Sequence, residues 1–448
     1  MNTSEALAAA LARHGVTMTF SQCFPVRTQH VAPHYGIRQI GFRTENAGGA
    51  MADGYARIRG RIAVRAGQSG PAAPLLVPPM CEAIKSSIPL LVLVEEYAAA
   101  DADRNAFQEF DHFALFASCS KWTRRVTHPE RLDDYVDMAV VQATSGRPGP
   151  VVLLLPSDFM GMEARPNPDR RASHGHFPLD RMVPETARLA EAAQALKSAS
   201  RPVIIAGGGV HLSGASEALA ALAERGGIPV ATTNHGKGAI DEHHPLALGV
   251  FGNCMGEGAR AAPLRDHVAA ADCILLVGTR TAGNGTANWT LLNREARIIH
   301  LDIDGTEIGR NYEALRLVGD ARASLEALLE RLQPSDFPDS AARTANIGQE
   351  TAAARAASDT VLDRIGAGRQ GAVRPEHLMR VLDPLLKPAD IVCADASYST
   401  NWIASFLTAK AHGVRFLTPR GLAGLGWGFP MAMGAKLAQP DKLCINVW

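Results

Sequence analysis

Apolar positions along this chain fall into short runs separated by stretches with helical spacing, and the alternation repeats over most of its length. At the N-terminus Leu7 and Leu11 share a helical face, Asn2 precedes Glu5 at capping-box spacing, and Gly15 is placed to end the helix. Runs at 37–42, 62–64, 90–94 and 151–155 read as buried parallel strands, with crossover helices between them. A second block repeats the pattern at 203–206, 228–231, 273–277 and 298–301, with a helix expected over 215–225. A third starts at Arg374-Pro375-Glu376 and holds a strand at 391–394, a helix at 426–437 and a further strand at 443–447.

Two polar seams separate the blocks. The first, 165–178, contains Pro166, Pro168, Asp169, Arg170 and Arg171; the second, 333–371, is Ala-rich, with a helix expected inside it. The fold class that follows is α/β, with three successive parallel-sheet domains over 1–170, 185–335 and 372–448. The third block, about 75 residues, amounts to half of an ordinary α/β domain. A half-sheet leaves an edge and an apolar face that something must cover.

Composition sharpens this picture. The 448 residues leave room for three domains of about 150 each. Lys plus Arg equals Asp plus Glu at 45 each, so no basic face for nucleic acid or an anionic membrane is expected. No apolar stretch has the length of a membrane helix, and the first residues lack the basic-then-apolar order of a signal peptide. Seven scattered Cys without a C-x-x-C pair read as reduced thiols in a cytoplasmic protein. The adjacent His243 and His244 point apart and are not expected to bind metal.

Several segments could carry chemistry. Glu45 stands at the mouth of a small-residue helix that includes Ala47, Gly48, Gly49, Ala50 and Ala52. Such a face admits a flat ligand or a partner helix. A carboxylate in an apolar setting would have a raised pKa suited to proton exchange, while the plainer reading is a carboxylate complementing the helix dipole. Gly70-Pro71 forms a turn after the 62–64 strand, and Gln108 lies in Ala106-Phe107-Gln108-Glu109. In the second block Gly207-Gly208-Gly209, Gly278, Arg280, Asp302 and Asp320 stand where a Gly-rich turn and strand-end acids could hold a nucleotide, or simply form a tight strand-to-helix turn. In the third, Asp395, Ser397 and Ser399 follow a strand, either as ligand donors or as a helix N-cap. Gly421, Ala423, Gly424 and Leu425 lie in a loop that opens a helix.

In their order, residues 43–57, Gly70-Pro71, 106–109 and 421–430 resemble the thiamine-diphosphate enzymes of the acetolactate synthase type. The resemblance implies a pyrimidine-binding domain, a central Rossmann-like domain and a diphosphate-binding domain. It implies that Glu45 hydrogen-bonds the aminopyrimidine and drives proton removal from the thiazolium C2, and that Gln108 lines the substrate pocket. Gly70 and Pro71 would lie beside the cofactor, and Asp395, Ser397 and Ser399 would face its diphosphate. Ala423 and Gly424 would offer backbone groups to the pyrimidine, with Leu425 as the apolar wedge beneath the bent cofactor. The reaction implied is decarboxylation of a 2-keto acid, with pyruvate favoured, and transfer of the two-carbon unit by a homodimer or homotetramer. FAD, contacted in this branch by the second-block residues, is implied by the branch but absent from sister decarboxylases. After Gly278 the chain reads Thr-Arg-Thr-Ala-Gly-Asn, where better-known members have Ala-Arg-Phe-Asp-Asp. The family binds Mg²⁺ through Gly-Asp-Gly and a later Asn. No Gly-Asp-Gly occurs here, so these ligands are expected beyond residue 448 and the third domain is read as incomplete. The alternative is an inactive remnant, or one piece of a split enzyme.

Overall fold

Strands that are apolar on both faces occupy the middle of two large parallel sheets. The first sheet runs Arg38–Ile40, Met18–Phe20, Ala63–Gln68, Leu90–Glu96, Val151–Pro156, Trp122–Arg125. The second runs Leu315–Val318, Arg297–Asp302, Cys273–Val277, Pro202–Ala206, Val230–Thr232, Ala247–Val250. In a third sheet Ile391–Ala394 pairs in parallel with Phe416–Leu417, and the Asp395 N–H donates to the Val447 carbonyl. The expected class, three parallel-sheet α/β domains, is therefore observed. The computed structural model describes residues 1–165, 167–367, 371, 373–413 and 415–448, so Pro166 of the first seam lies outside the described residues.

The chain forms two compact units: Met1–Asp180 with Pro419–Asn446 and Trp448, and Arg181–Thr418 with Val447. Among the described residues no helix is long and apolar enough to cross a membrane.

Element boundaries shift for local reasons. The first helix, Thr3–Arg13, has the expected Asn2–Glu5 capping box, but His14 caps its C-terminus and Gly15, at φ 78°, makes the left-handed turn after it. The run at 37–42 contracts to Arg38–Ile40, because Phe42 leaves the sheet to cover Arg65. Ile228 belongs to a helix end, donating its N–H to Ala223, so the strand begins at Val230. The helix expected from 426 begins at Gly428, since Gly426 sits at φ 78°. The second seam contains a 28-residue helix, Ser340–Ala367. The first seam is tied down, with Arg170 donating to Asp134 at 2.6 Å and Asp137 at 2.8 Å.

In the first unit the helix Glu45–Arg59 packs backbone to backbone on Gly428–Ala438. A Cβ on Gly54 would lie 2.1 Å from the Met431 carbonyl oxygen, and one on Gly434 would lie 1.9 Å from that of Met51. The Phe42 ring lies against Gly48 and the Pro79 side chain against Gly49. The small-residue face is therefore filled by this chain's own elements and leaves no slot there for a flat ligand. Gly434→Ala should destabilise the protein by at least about 1–3 kcal/mol, the usual cost of overpacking. Chemical denaturation will read this as a lower midpoint; an unchanged midpoint would refute the close packing.

A second constraint holds the segment between Glu96, at the end of its strand, and the helix His112–Phe116. His112 Nδ1 and Glu96 Oε1 are 2.7 Å apart, and Arg125 donates to both Glu96 oxygens at 2.6 and 2.9 Å. Burial works to raise the Glu96 carboxyl, but hydrogen bonds from Arg125 and His112 prevail and hold it below its ordinary value of 4.5. The stabilisation is fully present above that value and is lost as pH falls through the lowered one. Between about pH 5 and 3, the parent should lose more thermal stability than Glu96→Gln; parallel curves would contradict this linkage.

Candidate active site

Glu45 is the first residue of its helix, whose N-cap Thr44 accepts the Ala47 N–H at 3.4 Å. The helix end favours negative charge there. The apolar setting expected for this carboxylate is not what surrounds it. Arg65 lies within the Ala63–Gln68 strand, is only 1% exposed and approaches Glu45. Its Nη2 donates to the Glu45 carbonyl at 3.4 Å, its Nη1 donates to the Phe20 carbonyl at 3.1 Å, and its guanidinium stacks 4.1 Å from the Phe42 ring centroid. Burial lowers Arg65 to about 9, against the opposing pull of Glu45, so it remains a cation at neutral pH. The buried guanidinium thus places a positive charge beside the helix end that carries Glu45. The sequence signal for Arg65 was a charge inside an otherwise apolar strand, which demands partners when buried.

Gly70 and Gln108 come together. A Cβ on Gly70 would lie 2.6 Å from Gln108 Cβ and Cγ, so only glycine allows this approach. Gly70 is at φ 61° and Pro71 directly precedes the short helix Ala72–Leu75. Gln108 itself is left-handed at φ 65°, a strained state for a residue with a side chain. Glu109 braces its loop, accepting the Asp103 N–H at 2.6 Å and the Ala106 N–H at 2.9 Å. The Gln108 Oε1 and Asn46 Oδ1 atoms are buried without a hydrogen-bond partner among the described residues. Such orphaned acceptors are costly unless a ligand or water donates to them.

The 421–427 loop begins against Glu82, which accepts the Gly421 N–H at 2.9 Å and the Leu422 N–H at 2.6 Å. Ala423 takes φ 65°, Gly424 lies on the buried Trp427 ring, and Leu425 is 73% exposed. Glu82 was not singled out from sequence, because an acid in the helix Val77–Ser86 ordinarily reads as solvent-facing.

In the second unit Asp395 Oδ1 accepts the Ala396 N–H at 2.8 Å, and its carbonyl accepts the Ser399 hydroxyl at 3.0 Å. Ser397 occupies the N-cap position of Tyr398–Phe406 at φ 66°, without a side-chain cap bond. Ser397 therefore does not act as the cap that was the plainer reading. The glycine turn is a packing device. Gly207 N–H donates to Val277 and Gly209 N–H to Gly278, and a Cβ on Gly207 would lie 2.2 Å from the Gly278 oxygen. The Gly207 and Gly209 donors are thus engaged, and Gly208 opens a helix of only six residues. Asp302 accepts the Asp304 N–H at 2.9 Å, and the Arg280 carbonyl accepts from Asn311 at 3.5 Å. Asp320 caps Ala321–Leu329 and accepts from Arg181 and Ser213. These engagements do not fit a pyrophosphate cradle. His243 and His244 pair with Asp241 and Glu224, and no group of three metal-ligating side chains occurs among the described residues.

Comparison with known proteins gives this arrangement a family. Residues 1–115, 189–328 and 395–448 match, respectively, the N-terminal TPP binding domain, the central domain and the C-terminal TPP binding domain of thiamine pyrophosphate enzymes. The probable acetolactate synthase large subunit of Methanocaldococcus jannaschii is 34% identical over 474 residues, covering 100% of this chain and 75% of that protein. The acetolactate synthase large subunit of Parasynechococcus marenigrum is 34% identical, covering 99% and 70%. That of Lactococcus lactis is 29% identical, covering 91% and 68%. On these three domain matches and on relatives 34% identical over nearly the whole chain, the chain belongs to the thiamine-diphosphate-dependent enzymes of the acetolactate synthase type.

Proposed function

We propose that this protein decarboxylates a 2-keto acid, with pyruvate as the favoured donor, and passes the two-carbon unit to an acceptor carbonyl. The observation that carries this reading is Glu45 on a helix end beside the buried Arg65, in the same unit as the orphaned acceptor of Gln108. When bound, thiamine diphosphate supplies the carbanion and the electron sink that a 2-keto acid requires. Glu45 would hold and exchange a proton at the aminopyrimidine ring. Arg65 places a buried positive charge beside that carboxylate. The Gln108 side chain, with its Oε1 unpaired, would orient a substrate or cofactor donor over Gly70. Backbone groups of Ala423 and Gly424 would receive the pyrimidine edge, with Leu425 as the apolar support. Asp395, Ser397 and Ser399 are the candidates for the diphosphate side.

No step is routed through Mg²⁺; among the described residues no group of three or more His, Cys, Asp or Glu side chains could hold a metal ion. FAD likewise has no step, because the Gly207, Gly209 and Asp320 groups already have partners within the chain. A homodimer or homotetramer is supported by the exposed apolar side chains of Leu422, Leu425, Phe429 and Met433. Seven free cysteines support a cytoplasmic setting.

Glu45→Gln should lower kcat for pyruvate decarboxylation by about 10²- to 10⁴-fold, the usual span of a general acid–base contribution. The check is a steady-state assay with thiamine diphosphate and Mg²⁺ on the whole chain. A variant within twofold of the parent, or a parent that releases no carbon dioxide from any 2-keto acid, would overturn the proposal.

A further inference from the structure

A buried charge cluster in the first unit is absent from the chemistry above and bears directly on the loop that chemistry uses. Asp53 is fully buried, and Arg57 donates to it from Nε and, at 3.0 Å, from Nη2. The same Nη2 reaches Glu82 Oε1 at 3.4 Å, and the Ser86 hydroxyl donates to that oxygen at 2.6 Å. Two buried carboxylates thus share one guanidinium. Burial raises the Asp53 carboxyl, Arg57 opposes this, and the like charge of Glu82 adds to the rise. Two buried acids beside one cation require further donors. For Glu82 these are backbone N–H groups of the loop: Gly421 to Oε1 and Leu422 to Oε2, one on each oxygen.

The far end of the loop meets the same cluster. The buried Trp427 indole lies against Asp53 and favours its charged form. Between these two anchors Leu422 and Leu425 are exposed and Ala423 is left-handed. The closeness of the first anchor also dictates its residue type: a Cβ on Gly421 would lie 2.6 Å from Ser86 Oγ and 2.7 Å from the Glu82 carbonyl oxygen.

We propose that Glu82 is a positioning residue, whose carboxylate, held by Arg57 and Ser86, fixes the start of the 421–427 loop so that Ala423, Gly424 and Leu425 stand ready for the cofactor. The functional half rests on the reading of that loop as the thiamine-diphosphate loop; the structural half does not. Glu82 meets the loop at the Gly421 and Leu422 backbone N–H groups, so it acts on the loop through backbone position.

The test compares the parent, Glu82→Gln and Gly421→Ala, each as the whole chain. Glu82→Gln keeps the shape of the side chain and one acceptor oxygen but removes the charge. Gly421→Ala keeps Glu82 and displaces the loop, so the proposal stays testable should either variant fold poorly. Amide hydrogen exchange at Gly421 and Leu422 is read first, without cofactor. Protection in the parent and a loss of about tenfold or more in both variants is expected for a charge-assisted anchor. Calorimetric titration with thiamine diphosphate and Mg²⁺ is read second. Cofactor affinity should fall by about tenfold or more in both variants, with kcat of Glu82→Gln at saturating cofactor within about threefold of the parent, as expected for lost positioning. A purely structural role would lower the melting temperature and leave the affinity unchanged, overturning the functional half. Unchanged amide protection in Glu82→Gln would overturn the clamp itself. A parent that does not bind the cofactor would overturn the functional reading, while exchange at the two amides would still decide the clamp.

Discussion

The close contact between the Glu45–Arg59 and Gly428–Ala438 helices is the constraint on which the first unit depends. At Gly54 and Gly434 the two backbones approach so nearly that no side chain fits between them. This fixes one helix against the other with little freedom to slide. The first helix carries Glu45 at its start and Asp53 and Arg57 further along. The second follows directly on the 421–427 loop. One small-residue interface thereby sets the frame for both the Glu45 carboxylate and the 421–427 loop.

Charge placement follows from that frame. Arg65 and Arg57 are both buried, and each is balanced by acid or carbonyl groups of the same unit. Arg65 serves the helix end at Glu45, and Arg57 serves the acids that hold the loop. Burying a guanidinium without such partners would be strongly unfavourable, so each marks a place where geometry is closely specified. The backbone at Gln108, Ser397 and Ala423 departs from ordinary conformations. Three candidate site residues share this departure, a pattern expected where preorganisation is favoured over local ease.

Much of the fold was legible in the sequence. The strands Cys273–Val277 and Ile391–Ala394 begin and end where their apolar runs do, because both faces are covered and the pattern is continuous. Trp122–Arg125, Ala247–Val250 and Leu315–Val318 were not foreseen. All three are sheet edges; Arg124, Arg125 and Arg316 interrupt the apolar pattern in two of them, and Ala247–Val250 is a run of only four residues broken by Gly249. As candidates for the site, Glu45, Gln108 and the glycine loop were singled out from their order along the chain. Arg65, Asp53 and Glu82 were not, because their roles lie in contacts between distant segments. Glu82 and Gly421 are 339 residues apart, and no local pattern announces that a helical acid will receive two loop amides.

The central claim is that Glu45 drives proton exchange at the cofactor. The most direct measurement is the rate of deuterium exchange at the thiazolium C2 of thiamine diphosphate bound to the whole chain, followed by quenched-flow NMR. The account predicts exchange in the parent far faster than in free cofactor, and a slowing of about 10²- to 10⁴-fold in Glu45→Gln with cofactor still bound. Equal exchange rates in parent and variant would contradict it.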